Sequence, residues 1–246
     1  MTESTVRELS PDTLREAAAV LADGGLVALP TLTNYGLFCD PFNAQAIDRL
    51  FEAKRRTKFG PLSLFVAEAG QAERYVEVPA TLRPAILEKV WPAPTALVMR
   101  RAYPFPPRLT LGLPTLAVCC QGPGSPLQDV LELLGRPLGA SSANLSGQGA
   151  IDVTFDVTVA DLGDRVDLIV DEGQERRDAR PPQAHPGNTI IDLTFDPPHL
   201  VRHGFVDPET LAPYFPGLDR DTSGYAALLE ERRSALASPT PGPEHG

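Results

Sequence analysis

Short apolar runs, each four to six residues long, recur along this chain at Leu26 to Pro30, Pro61 to Val66, Ala96 to Met99, Leu116 to Cys120, Val166 to Val170 and Thr189 to Leu193. Runs of that length, rich in branched residues and punctuated by glycine, proline or polar turns, suit buried strands. Leu200-Val201-Arg202 reads as a last strand. Helical signals stand between them. Ser10-Pro11-Asp12 caps a segment with Leu14, Ala17, Ala18 and Leu21 on one face, and Gly24-Gly25 stops it. Asn43 to Ala53 places Ala46, Ile47, Leu50 and Phe51 on one helical face. Leu82 to Val90 ends at Trp91-Pro92-Ala93-Pro94, and Leu127 to Leu134 ends at Gly135. Tyr103 to Pro107 reads as a rigid exposed connection.

The 246 residues suit one large domain with tails. With 42% hydrophobic residues, no apolar run approaches the roughly 18 to 20 residues that cross a bilayer. The first 30 residues lack the order of a secretory signal, so a cytoplasmic protein without a membrane partner is expected. The cysteines, Cys39, Cys119 and Cys120, are odd in number and two are adjacent, which speaks against a disulfide framework. His185, His199, His203 and His245 form no ligand spacing, so no protein-held transition metal is expected. A net charge of −10 argues against sequence-independent binding of duplex nucleic acid.

Against that global charge, Lys54, Arg55, Arg56 and Lys58 form a local basic cluster at the end of the Asn43 helix. One reading is a solvated helix end that complements the dipole. The other joins the cluster to Ser141-Ser142-Ala143-Asn144-Leu145-Ser146-Gly147, a glycine-bearing turn of small hydroxyl and amide groups, as a site for a nucleotide phosphate. No GxxxxGK[ST] loop is present, and no GxGxxG lies between a strand and a helix. Thr31 to Gly36, at the end of a strand, reads as polar lining of a crevice.

Several ordered pieces resemble the YrdC-like family, which includes the bacterial threonylcarbamoyl-AMP synthases. They are Pro30-Thr31 with Thr33, Tyr35, Gly36 and Leu37; Lys54 and Arg56 with Pro61-Leu62; Trp91-Pro92 with Pro94; Ser142 to Gly147; Thr189 to Leu193; and Leu200, Arg202 and Gly204. The resemblance runs from about Val27 to about Gly204. It implies an α/β fold, a twisted open mixed sheet in a single domain, with a concave positive cavity. It also implies ATP, with Mg, bound near Lys54, Arg56, Thr115, Ser142, Asn144 and Arg202, with Lys54 and Arg56 as the catalytic cations. The implied reaction joins threonine, bicarbonate and ATP into threonylcarbamoyl-AMP with loss of pyrophosphate, ahead of a tRNA adenosine modification. Residues 1–9 are expected as a tail, 10–215 as the domain, and 216–246 as a helix near Tyr225 followed by a disordered end. About 40 residues follow Gly204, fewer than the additional domain of longer family members needs.

The departures from the family pattern cluster on the second-substrate side. Phe65 stands where a histidine is usual, Cys119 where an arginine is usual, Asn188 replaces a serine, Leu32 an acidic residue and Gly60 an asparagine. Thr33 remains there, beside Asn188. An altered second substrate is therefore expected: another amine, carbamoyl or acyl donor. The competing expectation is that Arg136, Arg176 or Arg180 restores threonine binding, Arg176 and Arg180 lying in a polar, proline-rich stretch to Pro186 that reads as a mobile loop. Two further readings stand beside the enzyme: a non-catalytic protein that binds double-stranded RNA, and a carbamoyl-transfer component needing a partner protein.

Overall fold

The computed structural model describes residues 5–55, 60–146, 152–179 and 184–237. Its strands are β1 (Thr5–Glu8), β2 (Val27–Pro30), β3 (Tyr35–Cys39), β4 (Ser63–Phe65), β5 (Val76–Glu77), β6 (Thr95–Arg101), β7 (Thr115–Cys119), β8 (Leu138–Ser142), β9 (Leu168–Asp171), β10 (Thr189–Asp192) and β11 (His199–Arg202). They form one sheet in the order β1-β9-β2-β3-β8-β4-β7-β6-β10-β11, with β5 paired to β6. The sheet is mixed, because some pairs are parallel (β4 with β7, β6 with β10) and others antiparallel (β3 with β8, β6 with β7).

Helices α1 (Pro11–Ala22), α2 (Ala44–Ala53), α3 (Arg83–Ala85), α4 (Pro107–Thr110), α5 (Pro126–Leu134), α6 (Phe155–Leu162), α7 (Gln174–Asp178), α8 (Pro208–Leu211) and α9 (Tyr225–Ala237) surround the sheet. Their starts are written in the sequence: the Ser10 hydroxyl accepts from Thr13 N at 3.1 Å, and the Asn43 side chain accepts from Gln45 N and Ala46 N. Neighbouring strand residues point to opposite faces. Leu37, Leu64, Leu97, Val118 and Ile191 therefore pack in one core with Ala46, Ile47, Leu50 and Phe51 of α2. Phe38, Phe65, Ala96, Cys119 and Ala140 turn the other way, into a core with Ala17 and Leu21 of α1 and Leu127, Val130 and Leu131 of α5. Each buried Leu or Phe side chain contributes about 1.5–3 kcal/mol.

Four local expectations are corrected. Thr5–Glu8 is not tail: it pairs in parallel with β9, and Leu9 N donates to Asp171 O at 2.8 Å. Tyr35-Gly36 opens β3 rather than closing a turn; its glycine is required because a Cβ there would lie 2.5 Å from the Phe38 ring. Ser141 and Ser142 finish β8, so the turn begins at Ala143. The stretch expected as a mobile loop from Arg176 to Pro186 begins instead inside a helical turn, Gln174–Asp178, whose Arg177 meets Asp171, while 180–183 lie outside the described residues.

The far end of the sheet anchors the chain after residue 216. Tyr225 opens α9, donates its hydroxyl to Asp192 Oδ2 at 3.0 Å and stacks on His199 with centroids 5.5 Å apart. Residues 238–246, expected to be disordered, lie outside the described residues.

Candidate nucleotide and second-substrate site

A cavity of about 240 Å³ opens on the sheet face that carries Phe38 and Phe65. Its floor is a row fixed by strand register, with Phe65 beside Cys119, Cys119 beside Ala96, Ala96 beside Ile190 and Ile190 beside Arg202. Phe65, Ile190 and Arg202 reach the cavity, and Cys119 is fully buried beneath. The rim is polar: Thr31 and Asn34 from the β2–β3 turn, Ser63 from β4, Ser142 from β8, Gln121 after β7 and Asn188 before β10.

Lys54 caps α2 and is 1% exposed. Its ammonium donates to the Ser142 carbonyl and to the Asn144 carbonyl, the latter at 2.6 Å. In return, Ser146 N donates to Lys54 O at 3.2 Å. The Ser142 hydroxyl donates to Asn144 Oδ1 at 2.6 Å, and Ala143 N donates to Tyr35 O at 3.0 Å. The lysine thus ties the end of β8 to the end of α2. Two backbone carbonyls meet a buried cation, a charge-assisted arrangement stronger than neutral bonds.

On the other side of the cavity, Arg202 Nε and Nη2 both donate to the Asn188 carbonyl, at 2.9 and 2.8 Å. The Asn188 side chain is held in turn, because Gln121 Nε2 donates to Asn188 Oδ1 at 2.8 Å while Gln121 Oε1 accepts from Leu32 N at 3.2 Å. Three loops are joined through one glutamine. Arg202 opens towards the cavity, yet the protein around it withdraws enough water to lower its pKa from the ordinary arginine value, a shift partly opposed by the Cys119 sulfur. An arginine so placed stays cationic and poised for an anion. Gly187, at φ +85°, leaves room for that guanidinium, since a Cβ would lie 3.2 Å from Arg202 Nη2. His185 and His203 stack at 3.9 Å and pin the stretch before Gly187 to the end of β11.

The sequence from 19 to 204 matches the Sua5/YciO/YrdC family, described as telomere recombination. The chain belongs to that family. It is 34% identical over 192 residues to a threonylcarbamoyl-AMP synthase of Pyrococcus abyssi, covering 78% of this chain and 54% of that protein. The structure resembles P. abyssi Sua5 complexed with L-threonine at TM-score 0.76 and 28% identity, over 92% of this chain and 64% of that one. It shares the fold of Escherichia coli YciO at TM-score 0.71 and 21% identity, over 87% of this chain and 100% of that one. The chain spans 54–64% of the length of the first curated relatives it matches.

In this Sua5/YciO/YrdC chain, the structure brings Ser142, Asn188 and Arg202 to the cavity wall. Asn144 is 5% exposed and stands behind Ser142. Lys54 is corrected from a ligand-facing cation to a buried anchor, since its amine is turned to the carbonyls of the turn. Thr33 is 1% exposed and does not line the cavity; its neighbours Thr31 and Asn34 do. Thr115 is also corrected, because it begins β7, away from the cavity lining. Arg56 and Lys58 lie outside the described residues. Among the described residues the lining carries one cation, Arg202, so the expected positive character narrows to a single guanidinium.

Sequence reading missed Gln121, whose only signal was a lone polar residue, 5% exposed, following the apolar run of β7. Phe65 and Cys119, standing where the family pattern has charged or titratable groups, are side by side in the core, and the Phe65 ring meets Phe38 edge-on at 5.7 Å. Burial pushes the Cys119 thiol well above its ordinary pKa, which removes it as a nucleophile. Of the arginines considered for threonine, Arg136 is held by Asp40 at 2.9 Å, and Arg176 reaches Gly124 O at 3.5 Å without lining the cavity. Arg180 lies outside the described residues.

Proposed function

We propose that this chain binds ATP in the cavity and forms a carbamoyl-type adenylate, as the name of its threonylcarbamoyl-AMP synthase relatives implies. The carrying observation is the Lys54-anchored Ser142–Asn144 turn facing Arg202 across one cavity. In this reaction an amine and bicarbonate give a carbamate and water. A carbamate oxygen then attacks the α-phosphorus, the bond to the β-phosphate oxygen breaks, and pyrophosphate leaves with its electrons. Such a displacement asks the protein for positioning and charge neutralisation. Arg202 supplies phosphate oxygens with its charge and the guanidinium hydrogens not used on the Asn188 carbonyl, and the Ser142 hydroxyl supplies a neutral donor by turning from Asn144 Oδ1 to a phosphate oxygen.

Magnesium enters as part of the nucleotide substrate. No carboxylate lines the cavity among the described residues, so the ion fits a place among phosphate oxygens and water. Likewise, no group of three or more His, Cys, Asp or Glu among them is arranged to hold a metal. No helix among the described residues is long and apolar enough to cross a membrane.

With Phe65 and Cys119 in the floor, the second substrate differs from free threonine. Delivery to a tRNA adenosine falls to a partner protein, because a chain of net charge −10 with one guanidinium in the described lining is poorly suited to a polyanion. The same charge weighs against the double-stranded RNA reading and leaves the carbamoyl-transfer component as a variant of the enzyme reading.

Exchange of labelled pyrophosphate into ATP, with bicarbonate and a panel of amines, tests the proposal. Exchange that needs both and is lost in Arg202→Ala supports it. Exchange stimulated by threonine alone sinks the altered-substrate part, and salt-sensitive RNA binding without exchange overturns the whole.

A further inference from the structure

We infer that Gln121 and Asn188 select a neutral carbonyl, so that the second substrate is an amine carrying an amide head in place of a carboxylate. Gln121 sets that choice. The inference rests on the adenylate-forming reading above and names the substrate class of the same cavity.

The backbone fixes the chemistry of this corner. Leu32 N can only donate, so the atom it meets at 3.2 Å is the Gln121 carbonyl oxygen, and the Gln121 amide nitrogen must face Asn188 Oδ1 at 2.8 Å. The Asn188 amide nitrogen is thereby placed on the remaining side. What the pair still offers a ligand is neutral N–H donors beside carbonyl lone pairs. Gln121 is 5% exposed, so a ligand group meeting it gives up most of its water.

A dehydrated carboxylate needs a cation. The cation in the described lining, Arg202, spends Nε and Nη2 on the Asn188 carbonyl and gives its remaining hydrogens to the phosphates in the adenylate reading, and the floor below is Phe65 and Ile190. A neutral amide carbonyl needs only the donors that are there. Because the amine and not the head group forms the new bond to bicarbonate, the preference acts on binding, and it appears in KM rather than kcat.

The test compares L-threoninamide with L-threonine, identical except for that head, in bicarbonate-dependent pyrophosphate release at fixed ATP. The amide is expected to have a kcat/KM about tenfold higher, carried by KM. Gln121→Arg, which introduces the missing cation, is expected to reduce or reverse that ratio by about tenfold. If Gln121→Arg does not fold, the near-isosteric Gln121→Glu is expected to raise the threonine KM more than the threoninamide KM. A wild-type preference for threonine, or a ratio unmoved by either variant, overturns the inference. If neither amine turns over and the pyrophosphate exchange with the amine panel is also absent, the adenylate reading fails by itself. Calorimetric binding of the two amines beside a non-reacting ATP analogue then decides the selection, with tighter threonine binding, or no binding of either, counting against it.

Discussion

The Lys54 ammonium lies 2.6 Å from the Asn144 carbonyl oxygen, ninety residues further along the chain. A cation expected to face a ligand instead holds together the turn that faces it. Lys54→Met would leave the Ser142 and Asn144 carbonyls short of a donor inside the protein, at a cost of about 1–3 kcal/mol per group. We expect a lower Tm together with weaker nucleotide binding. Ser142→Ala, which takes a donor from Asn144 Oδ1 alone, is expected to weaken nucleotide binding with a smaller fall in Tm. Thermal melting and ATP titration of both variants separate the two roles.

Arg202 grips the Asn188 carbonyl through two nitrogens, a geometry that a lysine cannot reproduce. Loss of its charge-assisted contact to phosphate corresponds to about 1.5–3 kcal/mol, one to two decades in affinity. Arg202→Ala and Arg202→Lys should both weaken ATP binding, the lysine variant recovering only part. Full affinity in Arg202→Lys would argue that a point charge is enough.

Buried thiols make stability depend on alkaline pH. Burial pushes Cys120 up to about 11 from an ordinary value near 9, and raises Cys39 and Cys119 further. Folded thiols therefore keep protons that unfolded ones lose, so their contribution is complete below pH 9 and falls above it, that of Cys120 being lost as pH rises through about 11. Urea denaturation at pH 8, 9 and 10 should show falling stability above pH 9, and a thiol reagent at pH 8 should react only after unfolding.

The phenol of Tyr225 donates to Asp192, which is 0% exposed, and this joins α9 to the sheet. Tyr225→Phe removes one donor from a buried carboxylate and should cost about 1–3 kcal/mol. Amide exchange over 225–231 should quicken more than over β10. Equal protection in both would show that α9 is held by other contacts.

Much of the sheet was legible because runs such as Leu26 to Leu29 and Val118 to Cys120 are buried on both faces and therefore continuously apolar. Thr5–Glu8 was not, since a four-residue edge strand with Arg7 and Glu8 carries no apolar signature. Tyr35–Cys39 was hidden by Gly36, which is there for the approach of Phe38 and not for a turn. At the site, Ser142 and Arg202 were readable from ordered motifs. The direction of Lys54 and the role of Gln121 were not, because each depends on partners about ninety residues away in sequence, Asn144 for one and Leu32 for the other.

A structure with a non-reacting ATP analogue tests the central claim most directly. It should place the phosphates between the Ser142–Asn144 turn and Arg202, leaving the Gln121–Asn188 corner open to the second substrate. Phosphates seated against Gln121 and Asn188, or a nucleotide outside this cavity, would contradict it.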